Sequence, residues 1–129
     1  MKIQSWIDED VTTASGDTTV KEAIRLLHQR HHDSIIIVDR DGKCKGIFTE
    51  RDAIRIIAND IPLNTPLNQV MTTNLKTIDE HATFAMAKHV MRTHNIRHLP
   101  VVDEKGRFIG LLNLRKILDE VHEMHKIKI

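Results

Sequence analysis

The chain has 129 residues, 40% hydrophobic and 29% charged, which supports a packed core and excludes a disordered polymer. Lys plus Arg is 19 and Asp plus Glu is 18, so the charge balance lacks the basic excess that a nucleic-acid partner draws on. One cysteine, Cys44, excludes an internal disulfide framework and a cysteine-rich zinc site, and no apolar run is long enough for a transmembrane helix.

Residues Met1 to Trp6 carry no apolar stretch of the kind a secretory signal needs, so the expected compartment is the cytoplasm. With aromatics at 3% and tyrosine absent, the core is expected to be aliphatic. The chain also repeats itself. Val38-Asp39-Arg40-Asp41-Gly42-Lys43 returns as Val102-Asp103-Glu104-Lys105-Gly106-Arg107, and Gly46-Ile47-Phe48 returns as Gly110-Leu111-Leu112. Thr19, Ala23 and Arg51 return as Thr83, Ala87 and Arg115, always at a spacing of 64 and without a gap.

Each copy reads as β-α-β-β-α. In the first, Val11 to Ala14 is a short extended segment. Thr19 and Glu22 form a capping-box signature for a helix whose apolar face is Val20, Ala23, Ile24 and Leu27. Ile35 to Val38 is a buried strand, Asp39 to Lys43 a hairpin turn with Gly42, and Cys44 to Phe48 a second strand. A second helix follows, with Ala53, Ile54, Ile57 and Ala58 as its expected apolar face. Asn59 to Gln69, with Pro62 and Pro66, reads as a linker. The second copy repeats the order: Lys76 to Ile78 extended, a helix with Phe84, Ala87, Val90 and Met91, strands at Leu99–Val102 and Phe108–Leu112, and a helix with Ile117, Leu118 and Val121. The expected fold is α+β, two units at residues 5–62 and 68–125 packed as one pseudo-twofold body, with 126–129 as a tail.

Gly46-Ile47-Phe48-Thr49-Glu50-Arg51-Asp52, Arg97-His98-Leu99-Pro100-Val101-Val102-Asp103 and Val70-Met71-Thr72 together resemble the cystathionine β-synthase (CBS) domain, here as a tandem pair. The resemblance covers about residues 5 to 124. It implies a regulatory module that binds an adenosine-containing ligand in clefts between the copies and often dimerises.

Thr49 and Asp52 stand where a strand gives way to a helix. A helix start offers unpaired N–H groups and the positive dipole end, suited to phosphate. The Thr49 hydroxyl can donate to a phosphate oxygen and the Asp52 carboxylate can accept from two ribose hydroxyls; the resemblance assigns the same roles. Thr-x-x-Asp is equally a capping box, and the two readings are compatible. In the second copy the equivalents are Asn113 and Lys116. Lys116 replaces the carboxylate, so a second site, with Thr13 and Ser34, is expected to be degenerate; alternatively Arg115 and Lys116 face the first site's phosphates. By resemblance, Arg97 and His98, ahead of Pro100, approach the phosphates of the first site. Lys76, Thr77 and Ile78 lie near its adenine, and Ile47 lines the same cleft. A solvated loop cation is the plainer reading of Arg97. Asp33, the counterpart of Arg97, repels phosphate, which favours one good site over two.

Nine histidines raise a metal reading, with His28, His31 and His32 on one helix and His122 and His125 three apart, but a solvated helix face accounts for them. Cys44 has no obvious base beside it and reads as an ordinary buried thiol. No nucleophile–base pattern, carboxylate pair or phosphate loop supports an enzyme, and no cofactor is expected. The leading expectation is a sensor for AMP, ADP or ATP that relays to an unidentified protein target and forms a homodimer. S-adenosylmethionine, which has no phosphate for Arg97, ranks lower. The alternative is a ligand-free dimerisation or adaptor module. No membrane partner is expected, and the scarcity of aromatics counts against nucleic acid.

Overall fold

The computed structural model describes residues 1–113, 117 and 118. Arg115, Lys116, Val121, His122 and His125, to which the sequence attached expectations, lie outside the described residues, as does the tail at 126–129. The chain forms two compact units. Among the described residues, the first comprises Asp10–Leu75 and Gly106–Phe108; the second comprises Met1–Glu9, Lys76–Lys105 and 109–113 with Ile117 and Leu118.

The first unit carries β1 (Thr12–Ala14), α1 (Val20–Arg30), β2 (Ser34–Val38), β3 (Cys44–Thr49) and α2 (Glu50–Ala58). Its sheet has the order β1-β2-β3, with β1 parallel and β3 antiparallel to the central β2. A central strand has no solvated face, which is why Ile35, Ile36 and Ile37 run unbroken and all are buried. Thr19 caps α1 as expected: its Oγ1 accepts from the Glu22 N–H at 3.2 Å and its own N–H donates to Glu22 Oε2 at 3.4 Å. The helix ends on His31 in the left-handed region, φ 56°. Val20, Ala23 and Leu27 then bury against Ile35, Ile37, Phe48 and Ile56.

The second unit repeats the pattern with β4 (Ile78–Asp79), α3 (Phe84–His94), β5 (His98–Val102) and β6 (Phe108–Asn113), the strands ordered β4-β5-β6. Thr83 Oγ1 accepts from the Met86 N–H at 3.2 Å, half of a capping box because Met stands where the first copy has Glu22. Asn95, the counterpart of His31, closes α3 at φ 52°. Its core holds Ala87, Met91, Leu99, Val101, Leu112 and Ile117. Lys76 and Thr77 precede β4 and are exposed, so the extended segment is shorter than its sequence suggests.

Each unit is completed by a lead-in arm that precedes the other repeat in sequence. Met1–Glu9 joins the second unit. Ile3, in a 3-10 turn, is fully buried in that core. The Ile3 N–H donates to Ala82 O at 3.1 Å, Phe84 N–H to Met1 O at 2.8 Å, and Asp8 and Leu111 exchange bonds of 2.9 and 3.0 Å. Residues 65–72, expected within and beyond a proline-marked linker, do the same for the first unit. Leu67 is fully buried, its N–H donating to Thr18 O at 2.8 Å, Val20 N–H donates to Thr65 O at 2.9 Å, and Ile47 and Thr72 exchange bonds of 3.0 Å each. Every one of these pairs is its counterpart shifted by the repeat length. Glycine makes the approach possible: a Cβ on Gly46 would stand 2.5 Å from Met71 Sδ, and one on Gly110 would stand 2.3 Å from Ile7 Cγ2.

The apolar face expected for α2 is corrected by the structure. Asp52 and Ile56 are buried and Ala53 is half-buried, whereas Ile54 is 68% and Ile57 62% exposed. Isoleucines at 54, 56 and 57 surround this helix, so periodicity cannot choose a face; the cap at Thr49, which turns Asp52 inward, does. In the second copy Ile117 is buried and Leu118 is 57% exposed.

Candidate functional site

The β3–α2 junction gathers Thr49, Asp52 and Arg55 into a connected polar cluster. Thr49, half-buried, ends β3 opposite Ser34 and serves as N-cap of α2. Asp52, only 8% exposed, is its N3 residue. Asp52 Oδ2 accepts from the Thr49 N–H at 2.9 Å and from the Thr49 hydroxyl at 3.2 Å, and Thr49 Oγ1 accepts from the Asp52 N–H at 3.3 Å. The capping box is therefore built, and it holds a carboxylate in nearly complete burial. Oδ2 has both lone pairs engaged. Oδ1 is shared with Arg55, whose Nη2 stands 3.5 Å away and also donates to Val70 O at 3.0 Å. Further acceptor capacity lies at Oδ1; a ligand needing both oxygens would have to displace the Thr49 hydroxyl. Of the first three amides of α2, Glu50 donates to Asp33 O and Asp52 to Thr49 Oγ1, which leaves the Arg51 N–H for an anion.

Arg55 was not among the residues singled out by sequence. Its signal was the three-residue spacing to Asp52, which lets a cation on the same helix balance a buried carboxylate. Ile47 is buried behind this junction, bonded to Thr72. Ser34 is buried and Thr13 exposed on the same sheet.

The remaining site expectations fall in the second unit. Ile78 is buried in β4, paired with Val101. Arg97 is exposed just before β5, His98 opens that strand half-buried, Pro100 is buried within it, and Asn113 ends β6. The structure thus brings Ile47, Thr49, Asp52 and Ser34 together in one unit, and Ile78, Arg97, His98 and Pro100 onto the β4–β5 side of the other.

Two other groups have plain roles. The His32 ring is hydrogen-bonded at Nδ1 to buried Thr12 Oγ1, 2.7 Å, with Asp10 3.8 Å from Nε2, tying the α1 end to β1. No group of three or more His, Cys, Asp or Glu side chains is placed to hold a metal among the described residues. The Cys44 thiol is half-buried, and desolvation pushes it up to about 11, only partly opposed by a backbone hydrogen bond from Gly46.

The family model for the CBS domain matches the chain twice, over residues 3–59 and 67–123. A CBS domain-containing protein of Dictyostelium discoideum is 31% identical over 130 residues, covering 91% of this chain and 88% of its own. Among solved structures, the CBS domain pair of protein MJ0100, in complex with 5'-methylthioadenosine and S-adenosylmethionine, superposes with a TM-score of 0.86 at 24% identity, over 96% of this chain and 98% of that one. A CBS domain protein from Pyrobaculum aerophilum, complexed with AMP, gives 0.82 at 23% identity, over 90% and 89%. Both repeats found in the sequence, and both units found in the fold, therefore fall under a single description: the chain belongs to the CBS domain family and carries the domain as a tandem pair.

Proposed function

We propose that this CBS pair is a regulatory module that binds an adenosine-containing ligand, AMP, ADP or ATP, and relays its presence to a protein target. The observation that carries the reading is Asp52: a buried carboxylate pinned by Thr49 at a helix start, with acceptor capacity left at Oδ1 for a ribose hydroxyl and the Arg51 N–H beside it for phosphate. The relatives' bound AMP, 5'-methylthioadenosine and S-adenosylmethionine share the adenosine body, which supports that class of ligand. Lys76, Thr77, Ile78, Arg97, His98 and Pro100 enter the proposal through the family resemblance, Arg97 as a phosphate fork. Arg115 would act beside it. The second position, with Thr13, Ser34, Asn113 and Lys116, has no ribose carboxylate and is proposed to bind weakly. S-adenosylmethionine has no phosphate, so it uses Arg97 less well and ranks below the nucleotides.

Calorimetry of AMP and adenosine against the parent chain, Asp52→Ala and Arg97→Ala tests the reading. Asp52→Ala is expected to weaken both ligands by about ten- to a hundredfold, the loss of a hydrogen bond to a charged group. Arg97→Ala is expected to weaken AMP and spare adenosine. AMP binding by Asp52→Ala at parental affinity would remove Asp52 from the site, and equal losses for AMP and adenosine in Arg97→Ala would remove the phosphate role.

A second reading, a dimerisation or adaptor module without a ligand, draws on Ile54 and Ile57, whose exposure on α2 leaves apolar surface uncovered. The proposed assembly is a homodimer through that helix, with twofold symmetry as the default. Light scattering at micromolar concentration, for the parent and Ile54→Glu, decides: a parental monomer rejects the dimer.

A further inference from the structure

Inside the first unit, the side chain of Arg55 ties the Asp52 carboxylate to the lead-in arm at residues 65–72. Its Nη2 carries two hydrogens. It donates to Val70 O at 3.0 Å, a full hydrogen bond, while Asp52 Oδ1 stands 3.5 Å away. A guanidinium bonded to a carboxylate closes to about 2.7–2.9 Å. The Val70 carbonyl therefore holds the cation beside Asp52 and short of a bond to it. Two needs of the carboxylate are met at once. A carboxylate this buried requires a counter-charge, which Arg55 supplies. Oδ2 is filled by the Thr49 N–H and hydroxyl, so an incoming donor must bind at Oδ1, and Oδ1 is left open.

That restraint lasts only while the arm is docked. The arm is held by buried Leu67, by its N–H to Thr18 O, and by the bonds exchanged between Ile47 and Thr72. With Val70 O withdrawn, the exposed guanidinium is released to close on Oδ1, where it competes with a ligand hydroxyl. We infer that Arg55 is a positioning residue that couples the arm to the site: a ribose hydroxyl on Asp52 Oδ1 and the docked arm favour each other, so that ligand binding tightens residues 65–72. The coupling is reciprocal, as any binding linkage is. The ribose rests on the proposed function; the bridge from Asp52 to the arm rests on the two distances. The arm precedes the second repeat in sequence, so the coupling gives the proposed relay a physical first step.

Amide exchange on the full chain, with and without saturating adenosine, tests the inference. Adenosine brings ribose hydroxyls without a phosphate that would draw Arg55 by charge alone. In the parent, the Leu67 and Thr72 amides, which donate to Thr18 and Ile47, are expected to exchange about 5- to 150-fold more slowly with adenosine bound, the range of ordinary coupling between sites. Arg55→Met keeps an unbranched side chain at an exposed position and removes both contacts. It is expected to bind adenosine, read as slower exchange at the core amides of Ile35 and Ile37, and to show no slowing at Leu67 and Thr72. A side chain that merely stabilises the fold would lower arm protection equally with and without adenosine. Arg25→Met, exposed on α1, is expected to behave like the parent. Arm amides that ignore adenosine in a parent that binds it would overturn the coupling and leave the nucleotide reading standing, and this comparison needs no variant. Equal slowing of the arm in the parent and Arg55→Met would also overturn it. Loss of adenosine binding in a folded Arg55→Met would make the residue a ligand contact and overturn its positioning role. A parent whose core and arm amides alike ignore adenosine would end both the coupling and the nucleotide reading.

Discussion

Replacing Ile3 with alanine is expected to destabilise the second repeat rather than the first, although Ile3 lies at the very start of the chain. Its side chain is fully buried among Leu99, Val101, Leu112 and their neighbours. Truncating a buried Ile removes its transfer energy and leaves a cavity, at a cost of roughly 2–5 kcal/mol depending on how far the site collapses. Collapse is restricted here because the arm is pinned on both sides of Ile3 by main-chain bonds to Ala82, Phe84 and Leu111. A value of about 3 kcal/mol or above is therefore expected, against about 0.5 kcal/mol or less for Lys21→Ala on the exposed surface. Urea titration measures the total. Amide exchange assigns it: protection should fall at Leu99, Val101 and Leu111 and hold at Ile35 and Ile37. Trp6 offers a second probe, since its ring lies 5.8 Å from that of Phe84 and its emission should shift red as the arm loosens. Leu67→Ala is the mirror experiment, with the loss falling on Ile35 and Ile37. A cost for Ile3→Ala below about 1 kcal/mol, or lost protection confined to β2, would refute the assignment of the arms.

A fragment spanning residues 10–75 keeps Leu67 and the bonds to Thr18 and Ile47, whereas 1–62 loses them. The longer-reaching fragment is expected to show the sharper urea transition, and a sharper one for 1–62 would count against the exchange. Gly46→Ala puts a methyl group against Met71 and the Thr72 carbonyl, so it is expected to lower the melting temperature, while Gly16→Ala, facing only the Asn68 side chain, lowers it less. Cys44, raised to about 11 from 9.0, holds on the order of a hundredfold less thiolate near neutral pH than an unperturbed thiol, and alkylation by iodoacetamide should be slowed accordingly. Asp39 accepts from the Lys43 and Asp41 N–H groups at 3.0 and 2.9 Å, with Lys45 near its other oxygen, and the Lys43 bond foremost lowers its carboxyl below the ordinary 3.8. Because its folded value is the lower one, its contribution is complete above 3.8 and is lost as pH falls through the folded value. Acid titration of Asp39→Ala is expected to lack that part of the parent's loss, and coincident acid profiles would show that the turn carries none of it.

Much of this protein was written locally and could be read locally. The repeat, the three helix starts at Thr19, Thr49 and Thr83, the aliphatic strand Ile35–Val38 and the glycine turns all depend on bonds between residues a few positions apart, so their residue types announce them. Thr49 and Asp52 were legible for the same reason, since a capping box is a four-residue event. What tertiary structure decided was everything that depends on which surface meets which. Ile54, Ile56 and Ile57 are equivalent by composition, and only the inward turn of Asp52 selects Ile56 for the core. Arg55 becomes a partner of Asp52 only once burial makes that carboxylate need one. The lead-in arms went unread because prolines at 62 and 66 look like a spacer, and a nine-residue opening looks like a fraying end. Their value lies in long-range partners, Ala82 and Leu111 for one arm and Thr18 and Ile47 for the other, and no local pattern encodes a bond to a residue so far along the chain.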